Sequence, residues 1–249
     1  MRVGLQLYTL RADLAQEFRG TLAAVAGLGY EGVELHDLFG HRVQEVRGWL
    51  DELGLAVAGA HASLDRLEGE LEAIALELRA LGTDRVAISW VDPPEDAAAA
   101  RASVERIDAV AGRATALGLR VGFHNHWAEV AALDGGETML EMLRALPPDR
   151  LWLELDLGWI WFAGADAVAE LQASAGRCPL VHVKDFRSRE GRDFCPVGDG
   201  SVGYDHVLPA TAAAGVEWLL VEQDEVEGPG LAAVERSLAA VRAIVGATA

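Results

Sequence analysis

The stretch LVHVKD (180–185) is a short apolar run that ends in residues able to bind a metal or to move a proton. Its branched aliphatic residues, followed by a helix-like segment, are typical of a parallel strand buried on both faces. Parallel strands with polar residues at their carboxyl ends indicate a (β/α)8 barrel, whose active site lies at that end. Five further runs have the same form: VELH (33–36), VAGAH (57–61), VGFHNH (121–126), LWLELD (151–156) and WLLVEQD (218–224).

The pattern along the whole chain predicts eight strand–helix units, the α/β architecture of a TIM barrel. A length of 249 residues fits one such barrel, so we expect a single domain over residues 1–249. Five predicted helix–strand junctions carry a glycine suited to the left-handed conformation that ends a helix: Gly29, Gly54, Gly82, Gly118 and Gly215. The predicted strands are 3–8, 31–35, 55–60, 84–90, 119–125, 151–156, 180–185 and 217–222. The predicted helices are 12–28, 41–53, 65–81, 95–117, 136–145, 165–175, 204–213 and 230–245.

The charge of the chain bears on its partners. The sequence has 39 acidic and 21 basic residues, for a net charge of −18, which repels phosphate backbones and anionic lipids. We therefore expect no nucleic-acid and no membrane partner. The N-terminus lacks a signal-peptide pattern, and Cys178 and Cys195 do not make a disulfide framework, so a cytoplasmic protein is expected. The sequence leaves a monomer and a homo-oligomer both open.

Three polar residues close the last three predicted barrel strands. Asp156, His182 and Glu222 should converge, because these strand ends are neighbours in a barrel. Their ligand types suit one divalent ion per chain, Mn²⁺, Mg²⁺, Zn²⁺ or Co²⁺, with open positions for a substrate. The alternative is three separate polar residues satisfied by hydrogen bonds, but buried charge is unfavourable unless it is paired or metal-bound.

The fifth predicted strand supplies the remaining candidates at the metal. His124 and His126 alternate along the strand and should both face the barrel mouth, while Glu129 follows in the loop. Any of the three could be the fourth ligand. We place Glu129 with the metal ligands and the two histidines among the catalytic residues. His126 lies further out and has a near-neutral ordinary pKa, so we predict that it is the base.

Other strand ends suggest contacts with a substrate. Lys184 should face the same way as His182 and is a third catalytic candidate, whereas Asp185 should point outward as a supporting residue. We place Gln6, Glu34, His61 and Trp159 in the substrate-binding set, since polar groups suit sugar hydroxyls and an aromatic face suits the C–H face of a sugar. The alternatives are an ion pair of Glu34 with an arginine and ordinary packing of Trp159.

The longest irregular segment follows the seventh predicted strand. Residues 186–203 contain four glycines and a proline, and long βα loops in this fold usually cover the active site. We therefore expect this loop to close over a bound substrate and to exclude water.

Several motifs together resemble the sugar phosphate isomerase/epimerase family, the xylose isomerase-like barrels. They spread over nearly the whole chain: VGLQLYTLR (3–11), YEGVEL (30–35), GFHNHWAEV (122–130), LELDLGWIWFAG (153–164), GRCPLVHVKDF (176–186), PVGDGSVGYDHVL (196–208) and VEQDE (221–225). The combination is most similar to the subgroup with HNH-x-x-E, LD-x-x-W, H-x-KD and VEQD motifs. The resemblance implies metal ligands Glu, Asp, His and Glu on strands five to eight. Asp156, His182 and Glu222 match, whereas His124 stands where the first glutamate is usual.

These observations predict a divalent-metal-dependent isomerase or epimerase that acts on a sugar, a ketosugar or a cyclitol. The metal would polarise the substrate carbonyl and stabilise the enediolate that forms when a carbon acid loses its proton. Loss of a β-hydroxyl from the same intermediate would give a lyase similar to inosose dehydratase. A non-catalytic sugar-binding protein on the same fold is the third interpretation, because fold alone does not establish activity.

Overall fold

Eight parallel strands of four to seven residues form a closed barrel in the computed structural model, which describes residues 1–247. Each strand pairs with its neighbours along the chain, and the last strand closes on the first, with Trp218 opposite Arg2. A short antiparallel hairpin lies outside the barrel. The predicted (β/α)8 fold is therefore confirmed. The barrel strands are β1 (Arg2–Gln6), β2 (Gly32–Leu35), β3 (Ala56–Ala62), β4 (Arg85–Ile88), β5 (Arg120–His124), β6 (Trp152–Asp156), β7 (Leu180–Val183) and β10 (Trp218–Val221), and the hairpin strands are β8 (Asp185–Phe186) and β9 (Phe194–Cys195).

The helices surround the barrel close to their predicted positions. The five junction glycines have φ between 69° and 99°, as expected for residues that end helices in the left-handed region. Glu17 interrupts the first predicted helix, and a short helix directly after β6 was not predicted. No helix of the described residues is long and apolar enough to cross a membrane. The helices are α1 (Arg11–Gln16), α2 (Phe18–Leu28), α3 (Val43–Leu53), α4 (Leu64–Leu81), α5 (Ala97–Ala116), α6 (Met139–Ala145), α7 (Leu157–Phe162), α8 (Ala167–Ala173), α9 (Tyr204–Ala214) and α10 (Gly230–Ala247).

Two tryptophans fill the amino-terminal half of the barrel interior. Trp152 and Trp218 are buried there with Leu180 and Leu220. A Cβ atom at Gly122 would lie 2.3 Å from the ring of Trp152, and one at Gly32 would lie 2.6 Å from the ring of Trp218. The glycines therefore make room for the indoles, and this apolar plug forms the floor of the site above it.

Polar side chains occupy the next inward layer. Successive inward positions are two residues apart on a strand, so β6 and β7, which contribute Trp152 and Leu180 to the apolar plug, contribute Glu154 and His182 to this layer. On β6, for example, Trp152 is followed by Glu154 and then by Asp156, and all three are buried. We call this set the polar layer; its members are Gln6, Glu34, His61, His124, Glu154 and His182.

Asp185 anchors the loop that follows the seventh barrel strand. It points away from the interior, as the alternation predicts, and its two carboxylate oxygens accept hydrogen bonds from the backbone N–H groups of Phe186, Gly198, Gly200 and Val202. The hydroxyl of Tyr204 also donates to the backbone oxygen of Lys184 at 2.7 Å. The part of the loop near 198–202 is thus tied to the barrel, whereas residues 187–192 are mostly exposed.

This anchor leads to a prediction about stability. Asp185→Asn replaces one acceptor oxygen with an NH₂ group that faces backbone donors. We expect the free energy of unfolding to fall by about 2–4 kcal/mol, because hydrogen bonds to a charged group contribute about 1.5–3 kcal/mol each. Urea denaturation measures the change. Asp193→Asn is the matched control, since solvent screens its exposed pair with Arg187 and the loss of that pair should change stability little. Equal effects of the two substitutions would contradict the anchoring role.

Candidate metal centre

Four ligand-type side chains converge at the barrel mouth. The candidate ligand atoms of His124, Asp156, His182 and Glu222 all lie within 4.8 Å of one another, and all four residues are buried. We call this set the upper group. β5, β6 and β7 and the residue after β10 position its members, with Asp156 directly opposite His182 in the strand register. Two carboxylates and two imidazoles form a donor set that suits Mn²⁺, Co²⁺ or Zn²⁺.

The carboxylates of the upper group already attract a cation. The Lys184 ammonium lies 2.9 Å from oxygens of both Asp156 and Glu222, and 2.7 Å from an oxygen of Asp224. Burial lowers the pKa of Lys184, but these carboxylates outweigh it and hold the pKa well above its ordinary value. Lys184, the only lysine of the chain, is therefore a buried, permanently charged donor at the mouth.

A second set of ligand-type side chains lies in the polar layer. His61, His124, Glu154 and His182 again have candidate ligand atoms within 4.8 Å of one another, and we call them the lower group. Glu34 lies beside this group, 2.7 Å from Nε2 of His182 and 3.2 Å from Nε2 of His61. The amide of Gln6 donates to the same Glu34 oxygen at 2.7 Å.

The pKa values of the two glutamates in this layer shift in opposite directions. Burial raises the pKa of Glu34, but His61 and His182 outweigh it and hold that pKa below its ordinary value. Burial and the neighbouring Glu34 raise the pKa of Glu154 to about 7. Burial opposes the charge of His61, yet Glu34 and Glu154 raise its pKa to about 10. The metal-free layer therefore holds protons that a cation can replace.

The predicted base occupies a different environment. The ring of His126 packs edge-on against those of Trp90 and His124. Burial, followed by the charge of Lys184, lowers the pKa of His126 to about 3. The expectation of a near-neutral pKa is therefore wrong for this structure. His126 is neutral at neutral pH, and its ring can accept a proton, but it is a weak base before other charges enter the site.

Glu129, a predicted metal ligand, belongs to neither group. Its carboxylate accepts a hydrogen bond of 2.7 Å from the backbone N–H of His126, and it is 2% exposed. It follows β5 in a loop, so it supports the backbone of His126, while His124 occupies the fourth position of the upper group. This difference arises because the loop turns the glutamate back onto the strand end.

A cavity of about 570 Å³ opens above the upper group. Five of the residues predicted from the sequence line it: His61, His124, His126, Lys184 and Trp159. Gln6 and Glu34, which were expected to contact substrate, have no exposed surface and do not line it, because they lie one layer deeper. A second cavity of about 700 Å³ adjoins it between α3 and α4.

The cavity wall also contains residues that the sequence analysis did not single out. Arg192, at the tip of the β8–β9 hairpin, lies 4.0 Å from the ring centre of Trp127 and 5.6 Å from that of Trp159. Asp224 faces Lys184, and burial raises its pKa to about 6. Strand alternation along WLLVEQD predicts that Asp224 faces the same side as Glu222. The same alternation predicts that Glu154, two residues before Asp156, faces the same side as Asp156. Nothing in the sequence indicates which indole Arg192 reaches.

The chain belongs to the xylose isomerase-like TIM barrel family, whose model matches residues 22–244. No protein with a curated description matches the sequence. Among solved structures, a sugar phosphate isomerase/epimerase from Parabacteroides distasonis ATCC 8503 is 20% identical, with a TM-score of 0.84 over 97% of this chain and 96% of that one. An L-ribulose 3-epimerase is 18% identical, with a TM-score of 0.75 over 99% and 95%. The IolI protein with a zinc atom bound is 14% identical, with a TM-score of 0.78 over 100% and 99%.

The pKa shifts of the lower group predict how stability depends on pH. The folded-state pKa of His61 is raised from 6.5 to about 10, and that of Glu154 from 4.5 to about 7. Both groups bind protons more tightly in the folded state, so their contribution to stability is lost as pH rises. We expect the chelator-treated protein to become less stable between pH 7 and pH 10, as measured by urea denaturation.

His61→Gln serves as the comparison, since it removes the group that titrates near pH 10. Its stability should change less over the same interval than that of the wild type. A wild-type stability that is constant or rises between pH 7 and pH 10 would contradict the assignment.

Proposed function

We propose that this barrel is a divalent-metal-dependent isomerase or epimerase of a sugar, a ketosugar or a cyclitol. One observation carries the proposal: the upper group brings Asp156, His182 and Glu222 together with His124 beneath a cavity of about 570 Å³. Groups that can move or hold a proton line the same cavity. Membership of the family and the fold of the solved relatives support the proposal, while the chemistry rests on these side chains.

The residues of the upper group fit a bound ion. The carboxylates of Asp156 and Glu222 already share the ammonium of Lys184, which shows that the position between them favours positive charge. When bound, a divalent ion would polarise a substrate carbonyl and stabilise the negative charge of an enediolate. Two of the four donors, His124 and Glu222, line the open cavity, so a substrate can approach from the mouth.

The proton chemistry belongs to the chain's own residues. His126 has a neutral ring on the cavity wall and would take the proton from the carbon beside the carbonyl. Lys184 stays charged and would donate hydrogen bonds to the oxygen on which charge develops. Asp224, with a pKa of about 6, could exchange a proton with the substrate near neutral pH.

Aromatic rings on the cavity wall suit the C–H faces of a ring-shaped or chain-form sugar. Trp90, Trp127 and Trp159 line it, and the first is 44% exposed. Arg192 above Trp127 and Trp159 would hold hydroxyl or carbonyl oxygens at the entrance. Together with the polar side chains of the upper group, these groups would bind a small polyhydroxylated molecule.

A hydrogen–deuterium exchange experiment tests this function. The substrate panel contains ketopentoses, ketohexoses and inososes. In D₂O, the metal-loaded protein should exchange deuterium into the carbon beside the carbonyl of at least one of them, as measured by NMR. His126→Gln should slow this exchange by about a hundredfold or more and retain its metal, because the general-base contribution is lost. His206→Gln, which alters an exposed histidine that does not line the cavity, is the matched control.

Each outcome separates the interpretations. Exchange accompanied by loss of water would identify a lyase. Saturable binding of panel members without exchange would identify a sugar-binding protein and overturn the proposal. Loss of metal from His126→Gln, with normal turnover of the fraction that keeps it, would show that His126 is a ligand rather than the base.

A further inference from the structure

The lower group has the composition of a closed metal site. Three imidazoles and one carboxylate, from His61, His124, His182 and Glu154, meet in the polar layer with all their candidate ligand atoms within 4.8 Å of one another. Three of the four residues are buried, and the side chain of His61 is 9% exposed. Four protein ligands fill the tetrahedral coordination of zinc, as in structural sites, and leave no position for a substrate.

Two distances from the Glu154 carboxylate match the ligand spacing of a tetrahedral site. Zinc ligands at about 2.0–2.1 Å from the metal lie about 3.3–3.4 Å from one another. Oε2 of Glu154 lies 3.4 Å from Nδ1 of His124 and 3.4 Å from Nε2 of His182. Its separation from Nε2 of His61 is 2.7 Å, a hydrogen-bond distance that would have to open by roughly 0.6 Å to reach that spacing.

Two buried atoms point to a missing partner. Nδ1 of His124 is buried and has no hydrogen-bond partner among residues 1–247, although it faces the carboxylate of Glu154. Oε1 of Glu154 is likewise buried without a partner. Buried polar atoms are rarely left unpaired, so these two indicate that the layer accommodates a further positively charged species.

His182 presents one nitrogen to each group. Its Nδ1 lies 2.7 Å from Glu222 of the upper group, and its Nε2 lies 2.7 Å from Glu34 and 3.4 Å from Glu154 of the polar layer. A neutral imidazole has one free lone pair, so a metal at each nitrogen requires the ring to lose its N–H proton to solvent and to bridge the two ions as an imidazolate. The two groups also share His124, so both can be occupied at the same time only when each shared ring bridges the two ions in this way.

The charge of the region also favours two ions. Five carboxylates surround a single ammonium, that of Lys184, which leaves an excess of four negative charges if the imidazoles are neutral. One divalent ion in the upper group halves this excess and a second in the lower group offsets the other half, which leaves only the two charges of the bridging imidazolates. Buried charge is unfavourable unless it is paired or metal-bound, so the second ion has a physical reason to bind. The carboxylates are Glu34, Glu154, Asp156, Glu222 and Asp224.

We propose that the lower group binds a second divalent cation, of the zinc class, through His61, Glu154, Nε2 of His182 and Nδ1 of His124. This ion has a structural role: it holds the ring of His182 in place beneath the catalytic centre. The inference rests on the proposed function in one respect, since the two sites share His182 and His124.

Metal content per chain tests the inference. Protein stripped with a chelator and reloaded with Zn²⁺ should hold two ions per chain by elemental analysis after gel filtration. Glu154→Gln should lose the ion of the lower group and keep that of the upper group. Glu222→Gln should lose the ion of the upper group and keep that of the lower group. Glu129→Gln, which alters a buried carboxylate outside both groups, should keep two. His61→Gln is a second variant of the lower group, should Glu154→Gln not fold.

Loading with Co²⁺ adds a readout that does not depend on activity. A four-coordinate N₃O site gives intense visible absorption, and this band should disappear in Glu154→Gln and persist in Glu222→Gln. One ion in the wild type that survives Glu154→Gln would overturn the second site and leave the proposed function intact. One ion that either substitution removes would mean a single shared position and would also overturn it. No ion under any loading condition would overturn both proposals.

Discussion

Negative charge buried inside the barrel is the constraint on which the rest of the site depends. Four carboxylates with little or no exposed surface occupy the inward positions of β2, β6 and the end of β10. They can remain there only because imidazoles, the ammonium of Lys184 and hydrogen-bond donors such as Gln6 face them. The apolar plug of Trp152 and Trp218 closes the barrel below, so neither water nor counter-ions enter from that side. The carboxylates are Glu34, Glu154, Asp156 and Glu222.

This constraint divides chemically identical residues between two roles. His61 and His182 stand against carboxylates, which raise their pKa values above the ordinary one in spite of burial. His124 and His126 are just as buried, but other imidazoles and Lys184 add to the effect of burial, and their pKa values fall. The first pair holds protons or cations, whereas the second pair offers free lone pairs. A metal site and a proton acceptor can thus lie within one cluster of histidines.

Strand periodicity accounts for what could be predicted about the site. Alternation in LVHVKD places His182 and Lys184 inward and Asp185 outward, and the structure confirms all three positions. The same rule applied to LWLELD places Glu154 beneath Asp156. Nothing local to the sequence distinguishes Glu154 from the other acidic residues until the neighbouring strands are known. Its partners His61 and His182 lie 93 and 28 residues away in the chain, and only barrel closure brings them to it.

The sequence by itself determined the eight-strand barrel, the end of the barrel at which polar residues gather, and the convergence of Asp156, His182 and Glu222. These features follow from local periodicity and from the geometry of parallel strands, which any strand–helix repeat of this kind obeys. Only the tertiary structure decided that His124, rather than Glu129, joins them, that Glu34 lies below the cavity floor, and that the pKa of His126 is low. Those outcomes depend on burial and on charges from distant strands, and such terms do not exist until the barrel has closed.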